Sequence, residues 1–181
     1  MRTLLLLAVV ASTCFAVACA PRQMLAGQTG ERQLEPRIEA DDFNTLLPTA
    51  SPWSGTLTYL DYTANKPVTI PSTFKLTKAG TGWNFAIGYD EEPHANSASP
   101  LRLVDAGHAL QTGDVTERVL SRVTQGDRIV ITTELTGEDD RRPATIRKVY
   151  TISSRAFSLQ KLVKFTGDAD FFERHIYRWT R

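Results

Sequence analysis

Residues 143–180 read PATIRKVYTI (143–152), SSRA (153–156), FSLQKLVKF (157–165), TGDAD (166–170) and FFERHIYRWT (171–180). Three runs alternate apolar with polar side chains. The short segments between them are rich in Ser, Gly and Asp. Period-two alternation puts successive side chains on opposite faces of a strand, and the separators carry turn chemistry. Connections this short join antiparallel neighbours, because a parallel crossover needs about a dozen residues. A four-residue turn over 153–156 sets Ile152 opposite Phe157, Tyr150 opposite Leu159, Lys148 opposite Lys161 and Ile146 opposite Val163. Pairing Phe165 with Phe171 then sets Glu173 against Val163, His175 against Lys161, Tyr177 against Leu159 and Trp179 against Phe157.

The same alternation continues upstream. Ile129, Ile131, Thr133 and Leu135 join this face if Leu135 pairs with Ala144. One face then holds Ile129, Ile131, Leu135, Ile146, Ile152, Phe157, Leu159, Val163, Phe165, Phe171 and Trp179. The other holds Thr132, Glu134, Thr145, Arg147, Ser158, Gln160, Arg174 and Arg178. The first is the interior, and a one-residue slip would exchange the two faces throughout. On the outside Glu134 and Arg147 come close enough to pair diagonally, a surface contact worth about 1 kcal/mol at most.

Further alternating runs, broken at Ala64–Lys66, Lys78–Gly82, Gln125–Asp127 and Gly137–Pro143, predict about nine strands: 54–62, 67–77, 82–90, 100–105, 115–123, 128–136, 143–152, 157–165 and 171–180. One short helix over Asp41–Leu47, stopped by Pro48, precedes them. The expected fold is all-β: an antiparallel up-and-down meander of 8–10 strands. Such a meander leaves a long bare edge unless it closes, so a barrel is expected.

The interior face is not uniformly apolar. Lys148, Lys161, Glu173 and His175 fall near its middle, with Tyr150 and Tyr177 beside them. Closure brings Tyr59 and Asp61 of the first strand to the same place. Two lysines directly opposite on an inward face need an anion between them. Glu173 supplies it in one reading, as part of a satisfied internal network. In the other reading the cluster is the polar floor of a cavity suited to the head group of an amphipathic acid. Small barrels either fill with side chains or hold one ligand, so both readings stand.

The chain starts with Met1-Arg2-Thr3 and an apolar run from Leu4 to Ala11, the pattern of an export signal. Ala16-Val17-Ala18-Cys19 follows and resembles the lipobox of bacterial lipoproteins. Of the two cysteines, Cys14 lies inside the leader, which leaves Cys19 without a disulfide partner. A lipid thioether accounts for such a leftover thiol. The expected organisation is a signal peptide over 1–18, a polar tether over 19–37 starting at the lipidated cysteine, and a barrel domain over 38–181. The protein is expected to be exported to the periplasm or cell surface and held on a membrane by lipid. Ala20, following the cysteine, points to the outer membrane if the host has one. Arg2 goes with the leader, so the 21 basic residues become 20 against 20 acidic ones. That balance argues against a nucleic-acid partner.

Chemical motifs are sparse. No Gly-rich phosphate loop follows a strand, and no Gly-x-Ser-x-Gly elbow occurs. No cysteine remains in the domain to act as a nucleophile. His94, His108 and His175 show no paired ligand spacing, so neither metal nor cofactor is expected. Glu138-Asp139-Asp140-Arg141-Arg142 reads as a charged hairpin loop. Glu173-x-His175 places a carboxylate and an imidazole on one strand face, the minimum for acid/base chemistry.

Gly55-Thr56-Leu57-Thr58-Tyr59-Leu60-Asp61-Tyr62, the Glu92-Pro93-x-Ala95-Asn96-Ser97 loop, Pro143-Ala144-Thr145-Ile146-Arg147 and the ending Phe171-Phe172-Glu173-Arg174-His175-x-Tyr177-Arg178 resemble lipocalin-like β-barrel proteins of bacterial envelopes. The resemblance spans Trp53 to Arg181. It implies a barrel and, in general terms, the binding of a small ligand. The leading expectation is a lipid-anchored envelope protein in which Lys148, Lys161 and His175 contact the polar end of an amphipathic or anionic molecule. One alternative is an interaction or assembly protein with a filled barrel that works through loops 90–99 and 137–143. Another is a hydrolase or isomerase using Glu173 and His175.

Overall fold

The register expected for the last three strands is largely the register observed. The structure is a computed structural model that describes residues 35–47 and 52–181. The leader, Cys19, the tether as far as Leu34, and Pro48 lie outside the described residues. Ten strands form a closed antiparallel barrel: β1 (Trp53–Asp61), β2 (Lys66–Ala79), β3 (Gly82–Gly88), β4 (Ser97–Val104), β5 (Ala109–Thr112), β6 (Val115–Gln125), β7 (Arg128–Asp139), β8 (Arg142–Ile152), β9 (Ala156–Phe165) and β10 (Phe172–Thr180). Each strand pairs with its sequence neighbours, and β10 closes onto β1. One short helix, α1 (Ala40–Asn44), and two 3-10 turns, Pro93–Ala95 and Asp105–Gly107, complete the described chain.

Across β8 and β9, Ile152 faces Phe157, Tyr150 faces Leu159, Lys148 faces Lys161 and Ile146 faces Val163, all as expected. Across β9 and β10, His175 faces Lys161, Tyr177 faces Leu159 and Trp179 faces Phe157. Glu134 and Arg147 are directly opposite rather than diagonal, and they pair at 2.7 Å on the outer face.

Three expectations are corrected. Leu135 pairs with Ile146, and Gly137 takes the place opposite Ala144. The cause is a two-residue turn, Asp140–Arg141, with both residues at positive φ (49° and 60°), which lets the strands zip through the supposed loop to Asp139 and Arg142. The shift is two residues, so the faces keep their identity. At the start of β10 the register breaks between Glu173 and His175. Such a bulge reverses the alternation on one side of it. Phe172 rather than Glu173 therefore faces Val163, Glu173 is exposed, and Phe171 lies outside between Arg147 and Lys164. Arg174, expected outside, reaches back to the Leu60 carbonyl and the Tyr62 ring. Finally, the strand expected at 100–105 is β4, which starts earlier at Ser97, and between it and β6, where no strand was expected, the four-residue β5 follows the second 3-10 turn.

The two ends of the barrel are closed differently. At one end Phe43 and Leu46 of the α1 segment, both fully buried, pack with Ile38, Trp53, Trp83 and Ile152. The Trp53 indole donates to the Leu46 carbonyl at 3.1 Å and the Trp83 indole to Asn44 Oδ1 at 3.2 Å. Asp42 accepts a bidentate pair from Arg122, 2.7 Å each, and its carboxylate also accepts the Glu39 N–H at 2.9 Å. At the other end Phe165, Ala144, Ile146 and Val163 pack with Tyr62, Leu135 and Phe172. Above the α1 end the interior is filled by an aromatic column. Phe74, Phe157, Trp179 and Tyr177 follow one another at centroid distances of 4.8–5.3 Å, the first pair tilted and the other two stacked.

Candidate functional site

The aromatic column ends at Tyr177, and above it the barrel is hollow. A cavity of about 680 Å³ has Lys148, Lys161, His175 and Tyr177 on its wall, beside Phe85, Ile87, Ile146 and Leu159. A second cavity, about 320 Å³, lies against Tyr59, Tyr89, Leu57, Ile70, Arg174 and the other side of His175. The Tyr89 and Tyr177 hydroxyls share a 2.7 Å hydrogen bond between the two spaces. Both volumes fall within the range of small-molecule sites, about 300–1,000 Å³.

Each lysine has its own carboxylate, and neither is Glu173. On β6, Glu117 is wholly buried (0 % exposed) and accepts from the Lys148 ammonium, from the Thr133 hydroxyl at 2.6 Å and from the Tyr150 hydroxyl at 3.2 Å. At the tip of β7, Asp139 accepts from the Lys161 ammonium and from the Tyr62 hydroxyl at 2.8 Å, with Arg174 Nε 3.5 Å away. The opposed lysines are thus held apart by anions supplied from two neighbouring strands. Burial alone would raise the Asp139 carboxyl. The bonds from Lys161 and Tyr62, with the charges of Lys161 and Arg174, hold it below its ordinary value instead. Burial and the bond to Asp139 push the Tyr62 phenol up to about 12. Tyr150 is likewise raised by burial and by Glu117.

His175 is the residue with chemical freedom. Its ring packs edge-on against Tyr177, and its nitrogens make no hydrogen bond among the described residues. Burial, then the positive charges of Lys161, Arg174 and Lys148, push its pKa down to about 4 against a partial offset from Asp139. At neutral pH it is an uncharged imidazole that can both donate and accept. Three cations (Lys148, Lys161, Arg174) stand around it with the carboxylates of Glu117 and Asp139, and Glu138 and Glu92 add a carboxylate to the walls of the larger and the smaller cavity.

Of the residues singled out from the sequence, Lys148, Lys161, His175 and Tyr177 meet at one cavity. Tyr59 joins them through the second cavity. Tyr150 is 2 % exposed and lies beneath the site, where its hydroxyl supports Glu117. Asp61 is elsewhere: its carboxylate accepts the N–H groups of Thr63 and Ala64 at 2.8 and 3.2 Å and so caps the β1–β2 turn. Glu173 points outward and accepts from Gln160 at 2.6 Å, so Glu173 and His175 share no site. Glu117 and Asp139 were not foreseen. Val115, Glu117 and Val119 alternate along β6, which was a usable signal for Glu117. Asp139 carried none, because a charged turn and an inward carboxylate read alike in sequence.

The barrel also has a counterpart among solved structures. A mycobacterial protein has a similar fold. It is Rv2717c from M. tuberculosis, whose crystal structure gives a TM-score of 0.53 at 13% identity, over 78% of this chain and 95% of that one. At that identity the likeness concerns architecture alone. No protein-family profile matches this chain, and no curated protein matches it.

Proposed function

We propose that this protein is an exported, lipocalin-like carrier, anchored to a bacterial envelope membrane by a lipid on Cys19, whose barrel binds a small amphipathic ligand. The observation that supports this best is the cavity of about 680 Å³, with apolar wall residues and the polar triad Lys148, Lys161 and His175 on one side. Two lysine ammonium groups and an uncommitted imidazole at one place on the wall suit a carboxylate or another anionic head. The alkyl part would lie along Phe85, Ile87, Ile146 and Leu159. The lipid positions the barrel and takes no part in binding.

The test is native mass spectrometry of protein purified from its own host, with titration of the delipidated protein by dansyl-undecanoic acid. A ligand mass beyond the acyl group, and probe binding weakened in the Lys148→Met/Glu117→Gln double variant, are expected. A clean apo mass with no probe binding sinks the reading. Cys19→Ala should remove the acyl mass and the membrane fractionation while the circular dichroism spectrum stays that of the wild type.

The two ion pairs favour a second reading. Lys148–Glu117 and Lys161–Asp139 are self-sufficient, as expected of an internal network whose only role is structural. Under it the double variant changes stability and nothing else, while changes in loop 90–99 abolish capture of an envelope partner.

A further inference from the structure

Side chains pack across both ends of this barrel, and the larger cavity reaches solvent. The α1 segment fills one end with Phe43 and Leu46. At the other, Phe165 packs on Phe172 and Phe172 on Tyr62 (centroids 5.6 and 6.4 Å), and Arg174 lies 4.1 Å above the Tyr62 ring. The opening lies in the wall. Ser97–Ser99 of β4 pair with β3, and β4 meets β5 only from Leu101 onward. The β6–β7 ladder stops at Arg118 and Glu134, while β7 runs on to Asp139 paired with β8. Between them the β5–β6 hairpin is short and turns at Gly113, tied to the Pro100 carbonyl at 2.8 Å. The upper wall therefore has a notch, with β4 on one side, β7 on the other and the hairpin tip as its sill. Ser97, Ser99, Thr112, Val115, Thr116 and Thr136 rim it, and all six also line the cavity.

We infer that the ligand enters sideways, through the gap between β4 and β7 above the β5–β6 hairpin, with its polar head leading. This rests on the ligand-binding reading above. The route ends at Lys148, Lys161 and His175 on the far wall. The five rim hydroxyls make no side-chain hydrogen bond among the described residues, so they are free to bind the trailing part of the ligand. That part carries uncharged hydrogen-bonding groups, such as hydroxyls or amides. The one large apolar side chain on the rim, Val115, is 45 % exposed at the sill.

Access can be measured without any ligand. In the full chain carrying Cys14→Ala and Cys19→Ala, Leu159→Cys places a single thiol on the cavity wall. Ile146→Cys serves if that variant does not fold. Modification by methyl methanethiosulfonate is followed by mass. Val115→Trp and Ser99→Trp, from opposite sides of the gap, should each slow the reaction at least about tenfold, the factor given by 1.4 kcal/mol of added barrier. Phe172→Ala, which uncorks the top, should leave the rate within about twofold of the parent by the same conversion. Trp variants that react at the parent rate, or acceleration by Phe172→Ala matching the slowing expected from them, overturn the lateral route. With dansyl-undecanoic acid the same Trp variants should slow association and dissociation together. If the wild type takes up no probe while the thiol rates follow the expected order, the ligand reading fails and the opening stands.

Discussion

Replacing Glu117 by Gln separates the charge of the buried network from its shape. The side chain is wholly buried and accepts from Lys148, Thr133 and Tyr150. Gln keeps the volume and one acceptor oxygen but leaves the Lys148 ammonium without its anion. Removing one partner of a buried pair costs about 3–5 kcal/mol. The Lys148 side chain is 23% exposed toward the cavity, so water relieves part of that, and about 2–3 kcal/mol is expected. Adding Lys148→Met removes the stranded charge and should bring the double variant back to within about 1 kcal/mol of wild type. The assay is urea unfolding followed by fluorescence of the three buried tryptophans, Trp53, Trp83 and Trp179. With a slope of about 1–3 kcal/mol per molar urea, the single variant's midpoint should fall by about 0.7–3 M. A single variant within about 0.5 kcal/mol of wild type, or a double variant as unstable as the sum of its singles, would refute the assignment of Glu117 as the counter-ion.

Two further outcomes follow from the same geometry. His175 is pushed down to about 4 in the fold from an ordinary 6.5. Between those values the unfolded chain binds a proton that the native barrel refuses. Stability should therefore be full above pH 6.5 and fall toward pH 4, by at most about 3 kcal/mol. His175→Gln should flatten that slope in urea midpoints measured across the same range, and an unchanged slope would remove His175 as its source. At the β1–β10 seam a Cβ on Gly55 would lie 1.9 Å from the Arg178 carbonyl oxygen, which is backbone and cannot step aside. Gly55→Ala should cost at least about 3 kcal/mol and about 10 °C in thermal midpoint; a change under about 3 °C would show that the seam accommodates the methyl group.

Legibility of the site followed the alternation and ended where the alternation broke. The opposition of Lys148 and Lys161, and of His175 to Lys161, could be read directly because turn length and the apolar face agreed on one register. Glu173 was misplaced by one bulge, since an extra residue in a ladder leaves no mark on the composition of the strand. The β5 strand escaped because four residues are too few to show a period. Asp61 looked like a site residue because its parity was right, yet at a strand end the backbone N–H groups of the turn claimed its carboxylate.

From residue order alone came the strand class, the antiparallel sense, the inner face and the presence of cations on it. These depend on neighbours two residues apart or across short turns, where geometry is local. The identity of the counter-ions and the hollowness of the upper barrel belong to the tertiary structure. So does the notch in its wall. Glu117 meets Lys148 across 31 residues and Asp139 meets Tyr62 across 77. Separations of that kind are settled by closure of the barrel and by the lengths of β5 and β7, which no local pattern encodes.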